Sequence, residues 1–118
     1  NYSAVTAACL LVKKSLFEQV NGLDEDFVVA YNDVDFCLRV RETGALVVYQ
    51  PKAEFYHYES KSRGYEDDEK KRARFAKETK LLQDRWKKYL KGKDPYYNPN
   101  LTLDYADFST QKYDRKAL

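Results

Sequence analysis

The step Asn32-Asp33-Val34-Asp35 places two carboxylates at what reads as the start of a helix. Helical residues two apart point roughly 200° apart, so the two acids cannot serve one substrate from a regular helix. Asp35, three residues after Asn32, suits a structural role at the helix start. Asp33, in the entry turn, can project into a cleft and accept a proton from an approaching hydroxyl. A helix dipole keeps such a group ionised and makes it a weak base, which suffices when the hydroxyl turns acidic only as its new bond forms. Taken alone, the spacing reads as a cap before it reads as a base.

Two further groups carry chemistry. His57 is the only histidine, at the end of a strand-like run (AEFYHY). It is a candidate metal ligand, with Glu59 its one nearby companion in sequence, so further ligands would have to come from elsewhere. The run SKSRG at 60–64 combines Lys61 and Arg63 with two hydroxyls and a hinge-like Gly64. That composition suits a flap folding over phosphate oxygens, although taken alone it reads first as a surface turn.

The elements that must hold these groups follow from periodicity. Residues 3–12 (SAVTAACLLV) read as a buried strand, and 13–20 as a short helix with Leu16, Phe17 and Val20 at helical spacing. Asn21-Gly22 ends that helix. Residues 23–31 form a loop carrying an apolar plug. Residues 32–43 are a second helix with Asn32 as N-cap, acids first, Arg39 and Arg41 late, and Gly44 as the stop. Phe36, Cys37 and Val40 form its buried stripe. Residues 45–49 and 53–58 read as strands around the Gln50-Pro51 break. Residues 65–90 predict a long helix whose stripe runs Phe75, Thr79, Leu82, Trp86, Tyr89, and Gly92 ends it. The remainder reads as extended chain held by burial of its rings. Strand, helix, loop, helix, strand, strand and flanking helix predict an α/β layer architecture.

The chain has 118 residues and a formal net charge of +2. The charge is uneven. Residues 50–93 hold 14 basic and 8 acidic groups, a net +6, whereas residues 1–49 hold 4 and 7, a net −3. The basic stretch suits an anion or a membrane surface, or is a solvated helix face. A general nucleic-acid binder is usually more basic, so no nucleic-acid partner is expected. Cys9 and Cys37, both among apolar residues, read as buried free thiols of a reducing compartment rather than a disulfide framework. The longest apolar run is too short to span a bilayer. The absence of Met and the apolar run already under way at Asn1 predict a piece of a longer chain.

In order, the stretches SAVTAACLLVKKSLFEQVNGLDEDF, YNDVDFCLRVRETGALVVYQPKAEFYHYESKSRG and DPYYNPNLT resemble the C-terminal, acceptor-side portion of a family 2 glycosyltransferase with a GT-A fold. The resemblance implies the C-terminal part of a mixed-sheet domain, with residues 1–64 as its catalytic portion and 65–118 as a flanking helix and extended tail. It implies that Asp33 is the catalytic base, with Asn32 standing where the family's "ED" pattern has Glu. His57 matches a late histidine that completes coordination of a divalent metal, Mn²⁺ or Mg²⁺. Lys61 and Arg63 match a loop that closes over the nucleotide diphosphate. The nucleotide-binding half, with its DxD motif, would precede Asn1; Asp24-Glu25-Asp26 and Asp33-Val34-Asp35 match those letters but lie in acceptor-side segments.

The implied activity is inverting transfer of a sugar, hexosyltransferase-like, from a nucleotide sugar to a glycan or lipid-linked acceptor in bacterial surface polysaccharide synthesis. The implied location is cytoplasmic, at the inner face of the membrane, with peripheral membrane association. The isolated piece is expected to be inactive and to self-associate through uncovered apolar surface. A non-catalytic carbohydrate-binding or assembly module, its tyrosines stacking on sugar rings, is the alternative.

Overall fold

In a computed structural model of the chain, the structure describes residues 1–58, 69–105 and 107–110. Among these residues the regular elements are a 3-10 turn, Ala7–Cys9, and four helices: α1 (Lys14–Gln19), α2 (Asn32–Glu42), α3 (Glu69–Arg85) and α4 (Lys87–Leu90).

The central helix, α2, begins where its sequence demands. Asp33 and Asp35 lie in its first turn, and Arg39 and Arg41 in its last. Its cap differs from the predicted one. Tyr31, in the left-handed region at φ 63°, takes the N-cap position, and Asn32 is the first helical residue. The Asn32 side chain accepts the Asp33 backbone N–H at 2.8 Å, and Asp33 Oδ1 accepts the Val34 N–H at 2.8 Å. Neighbouring side chains thus satisfy amides that a helix start leaves without intrahelical partners. At the other end the Gly44 N–H returns to the Arg41 carbonyl at 2.9 Å with φ +87°, a reversal that glycine makes without strain. Helix α1 ends as predicted, with Asn21 and Gly22 both at positive φ and the Gly22 N–H on the Phe17 carbonyl at 2.8 Å.

Packing on α2 comes from two sides. Phe27, the plug of the loop before it, is buried with Leu38, Leu82 and Trp86 in one cluster, and Tyr31, Val34, Leu81 and Tyr89 close around it. The stripe read on the long helix is therefore the face that packs, although Phe75 stays partly exposed. That helix is interrupted once: Trp86 leaves helical geometry at φ −105°, ψ 21°, and α4 continues beyond it.

The predicted strands do not form ladders among the described residues. Residues 3–12 carry the 3-10 turn instead, and Tyr2 meets Val47 in a single antiparallel bridge, its N–H on the Val47 carbonyl at 2.9 Å. The cause is local competition for amides. The Thr6 hydroxyl takes the Ala8 N–H at 3.3 Å and the Asp33 carboxylate takes the Ala7 N–H at 3.1 Å, so two donors that a strand would offer sideways are already used. Residues 45–49 do keep a strand's alternation in part: Val47 is buried, while Leu46 and Val48 on either side are exposed. Residues 53–58 are exposed throughout.

Cys37 is buried as expected, but Cys9, on the 3-10 turn, is exposed. The tail also departs from expectation. Tyr105 and Phe108 remain exposed, and the chain is shaped by short side-chain-to-backbone turns. Asp94 accepts from Tyr96 N–H, Asn98 from Asn100 N–H and Asp107 from Ser109 N–H, at 2.9–3.0 Å. No helix of the described residues is long and apolar enough to cross a membrane.

Candidate active site at the start of helix α2

The two acids of the NDVD step have opposite environments, as their 200° separation requires. Asp35 is completely buried. Its Oδ2 accepts Arg39 Nε at 2.7 Å, and its Oδ1 accepts both Arg85 Nη1 at 3.0 Å and Trp86 Nε1 at 2.8 Å. It supports the structure, but as a tie between α2 and α3 rather than as a cap. A carboxylate can be buried at tolerable cost only when its lone pairs are met in this way. Arg85 extends the tie to the preceding loop through Asp24 Oδ2 at 2.6 Å, and stacks over the Phe27 ring at 5.1 Å. Arg39 donates to the carbonyls of Val20 and Gly22.

The contacts of Arg85 with the two acids also bear on charge. The backbone N–H of Asp26 and then the Arg85 guanidinium hold the Asp24 carboxyl below its ordinary value of 3.8. Partial burial works against the charge on Arg85, but hydrogen bonds to Asp24 and Asp35 outweigh it and raise its pKa.

Asp33 lies on the other side of α2, half-buried. Oδ1 accepts Val34 N–H and Oδ2 accepts Ala7 N–H. One turn on, the Cys37 thiol reaches the Val5 carbonyl at 3.7 Å, so Asp33 and Cys37 together face the segment around residues 5–7. Burial, with the Asp33 charge adding to it, pushes the Cys37 thiol pKa up, so it stays protonated. An apolar cleft of about 340 Å³ opens at Cys37, lined by Phe36, Cys37 and Val40 of α2 together with Leu10, Leu46 and Val48; Asp33 does not line it. An ionised carboxylate presents about four lone-pair positions. Two are used here, which leaves Asp33 able to accept a hydrogen bond from a bound hydroxyl.

The other predicted site residues are not brought to Asp33 by the described structure. His57 is exposed in the irregular segment 53–58. Among the described residues, no group of three His, Cys, Asp or Glu comes together to hold a metal ion. His57 therefore fits a metal only as a single ligand. Lys61 and Arg63 lie outside the described residues.

Sequence reasoning missed Glu78. It is almost fully buried, and its Oε2 accepts the Ala30 backbone N–H at 2.6 Å. The signal was present: Glu78 falls three after Phe75 and four before Leu82, on the packed stripe, and an acid there needs a partner.

No protein-family model matches the chain, and no solved structure matches it. Curated relatives do. The chain is 52% identical over 109 residues to the uncharacterized protein y4gI of Sinorhizobium fredii, covering 92% of this chain and 12% of that protein. It is 35% identical over 121 aligned positions to the O-antigen biosynthesis protein RfbC of Myxococcus xanthus, covering 96% of this chain and 8% of that protein. It is 42% identical over 60 residues to the N-acetylglucosaminyl-diphospho-decaprenol L-rhamnosyltransferase of Mycobacterium tuberculosis, covering 51% of this chain and 20% of that protein. The chain thus spans a fifth or less of each of these relatives. The names of the second and third point to a glycosyltransferase family.

Proposed function

We propose that this chain is the acceptor-side portion of a longer family 2, GT-A-fold glycosyltransferase, an inverting enzyme that moves a hexose-like sugar from a nucleotide sugar to a glycan or lipid-linked acceptor in bacterial surface polysaccharide synthesis. The observation that carries this is the division of labour in the NDVD step. Asp35 is sequestered in an ionic tie, whereas Asp33 is oriented by two backbone N–H groups and keeps lone pairs to spare. The relative named as a decaprenol-linked rhamnosyltransferase supports a lipid-linked acceptor.

Asp33 accepts the proton of the acceptor hydroxyl as the acceptor oxygen bonds to the anomeric carbon. The bond from that carbon to the diphosphate oxygen breaks, and its electron pair leaves with the nucleoside diphosphate. Attack opposite the leaving group inverts the centre. The Ala7 and Val34 N–H groups hold the carboxylate in one orientation, which is the preorganisation that general-base catalysis uses.

In this reading His57 is one ligand of a divalent metal, Mn²⁺ or Mg²⁺, with the others outside the described residues. Such an ion supplies charge neutralisation for a leaving diphosphate. Lys61 and Arg63 are proposed phosphate contacts. The longer enzyme works in the cytoplasm at the inner face of the membrane, held there peripherally, and the 118-residue piece alone is inactive.

The test is Asp33→Asn in the longer protein. Turnover falls by roughly 10²–10⁴-fold while nucleotide-sugar affinity, read by calorimetry, stays within a few-fold. Unchanged turnover removes Asp33 from the mechanism. In the same calorimeter His57→Ala weakens Mn²⁺ binding in the presence of nucleotide, and an unaltered isotherm counts against ligation.

A second reading is favoured by the exposed rings of Phe55, Tyr56 and Tyr58, which could stack on sugar rings in a non-catalytic carbohydrate-binding module. Glycan binding to the 118-residue chain without nucleotide or metal, lost on Tyr56→Ala, supports it; no binding removes it.

A further inference from the structure

We propose that Glu78 is a positioning residue for Asp33, setting the entry of α2 through the backbone of Ala30. The inference rests on the reading of Asp33 as the base.

Glu78 is 2% exposed, and its Oε2 takes the Ala30 N–H at 2.6 Å across 48 residues of sequence. Its other oxygen, Oε1, lies 3.8 Å from Arg74 Nε, an ion pair longer than a hydrogen bond. An apolar residue would fill this place on the stripe without the cost of burying a charge. What the carboxylate adds is reach and direction: it fixes one backbone N–H three residues before Asp33.

The segment it fixes needs fixing. Tyr31, between Ala30 and Asn32, stands at φ 63°. A non-glycine residue persists in that region only when its surroundings over-determine it. Here α3 supplies three restraints within little more than one turn. Phe75 packs its ring on Tyr31 at 5.5 Å, Glu78 holds Ala30, and Thr79 Oγ1 stands 3.4 Å from the Tyr31 hydroxyl. Because the Tyr31 conformation sets how the chain enters α2, it sets where the Asp33 carboxylate starts. Asp35, held by Arg85 and Trp86, anchors the opposite side of the same turn. Together these contacts leave the first turn of α2 little freedom to rotate, and displacement of a catalytic group by about 1 Å costs on the order of 10²-fold in rate.

The experiment compares Glu78→Gln, Glu78→Asp and Glu78→Ala in the longer transferase, with steady-state kinetics and amide hydrogen exchange. Gln keeps the acceptor and its reach but loses the charge; Asp keeps the charge but is one methylene short of Ala30. Expected are kcat within about 3-fold of the parent for Gln and roughly 10–100-fold below it for Asp and Ala, with the KM for the nucleotide sugar within a few-fold in all three. The Ala30 amide exchanges faster in Asp and Ala, and at parental rate in Gln. Unchanged kcat in folded Glu78→Asp overturns the inference, as does an Asp variant more active than Gln, which would assign the role to charge. Should Glu78→Ala fail to fold, the Asp and Gln variants decide the matter. If Asp33→Asn retains turnover, the reading of Asp33 fails. The exchange rate of the Ala30 amide still reports whether Glu78 holds the entry of α2.

Discussion

The Trp86 indole N–H donates to Asp35 Oδ1 at 2.8 Å, and both side chains are almost wholly excluded from water. Trp86 is also the residue at which the long helix breaks, so one side chain serves the apolar cluster with its ring and the buried acid with its nitrogen.

Trp86→Phe keeps most of the ring and removes the donor. The expected cost is about 1–3 kcal/mol, the usual penalty for leaving one buried acceptor position unmet. Asp35→Ala is expected to cost about 3 kcal/mol, the low end for breaking a buried pair, because Arg39 and Arg85 remain partly exposed and recover some hydration. Denaturant unfolding of the three chains measures both. If Asp35→Ala were no worse than Trp86→Phe, the ionic tie would not be what joins α2 to α3.

Acid should loosen the loop before α2 through Asp24. Its folded pKa lies below the ordinary 3.8, first through the Asp26 N–H and then through Arg85. The stabilisation is therefore complete above that ordinary value and is lost as pH falls through the lower, folded one. The slope is modest, because the side chain is partly solvated. Unfolding midpoints between pH 5 and pH 2 should fall less steeply for Asp24→Asn than for the parent chain. Parallel curves would show that the Asp24–Arg85 contact adds nothing.

Gly22 is a strained place for any side chain. Its φ is +66°, and a Cβ there would stand 2.9 Å from Phe17 Cζ. That ring also packs on Phe36 at 5.6 Å, but its outer side is exposed, so it can swing aside at the expense of that contact. Gly22→Ala should lower stability by about 1–2 kcal/mol through the backbone. A thermal midpoint unchanged from the parent would mean that the turn after α1 can be remade without loss.

Features legible in the sequence were those with local causes. The limits of α2, its acids and bases and the Asn21-Gly22 turn all depend on residues within a few positions of one another. The partners of Asp35 are not local. Nothing in NDVD announces that its second acid belongs to Arg85 and Trp86 rather than to its own helix start. The predicted strand at residues 3–12 failed for a related reason. Its apolar run suggested burial, but no residue of 3–12 is buried, and Thr6 and, from another element, Asp33 captured the amides a ladder would need. Glu78 sat in plain view on the stripe, and only the requirement that a buried acid find a donor could have singled it out.

The tie at Asp35 also sets an order of events. Arg85 and Trp86 stand 50 and 51 residues beyond Asp35. A ribosome releases the acid well before either donor, so early in synthesis only Arg39 of its own helix can meet it, and its Oδ1 must stay in water. Its apolar face cannot close over that charge until α3 has been made. The helices are short-range structures that form quickly, but the core between α2 and α3 waits on a long loop closure.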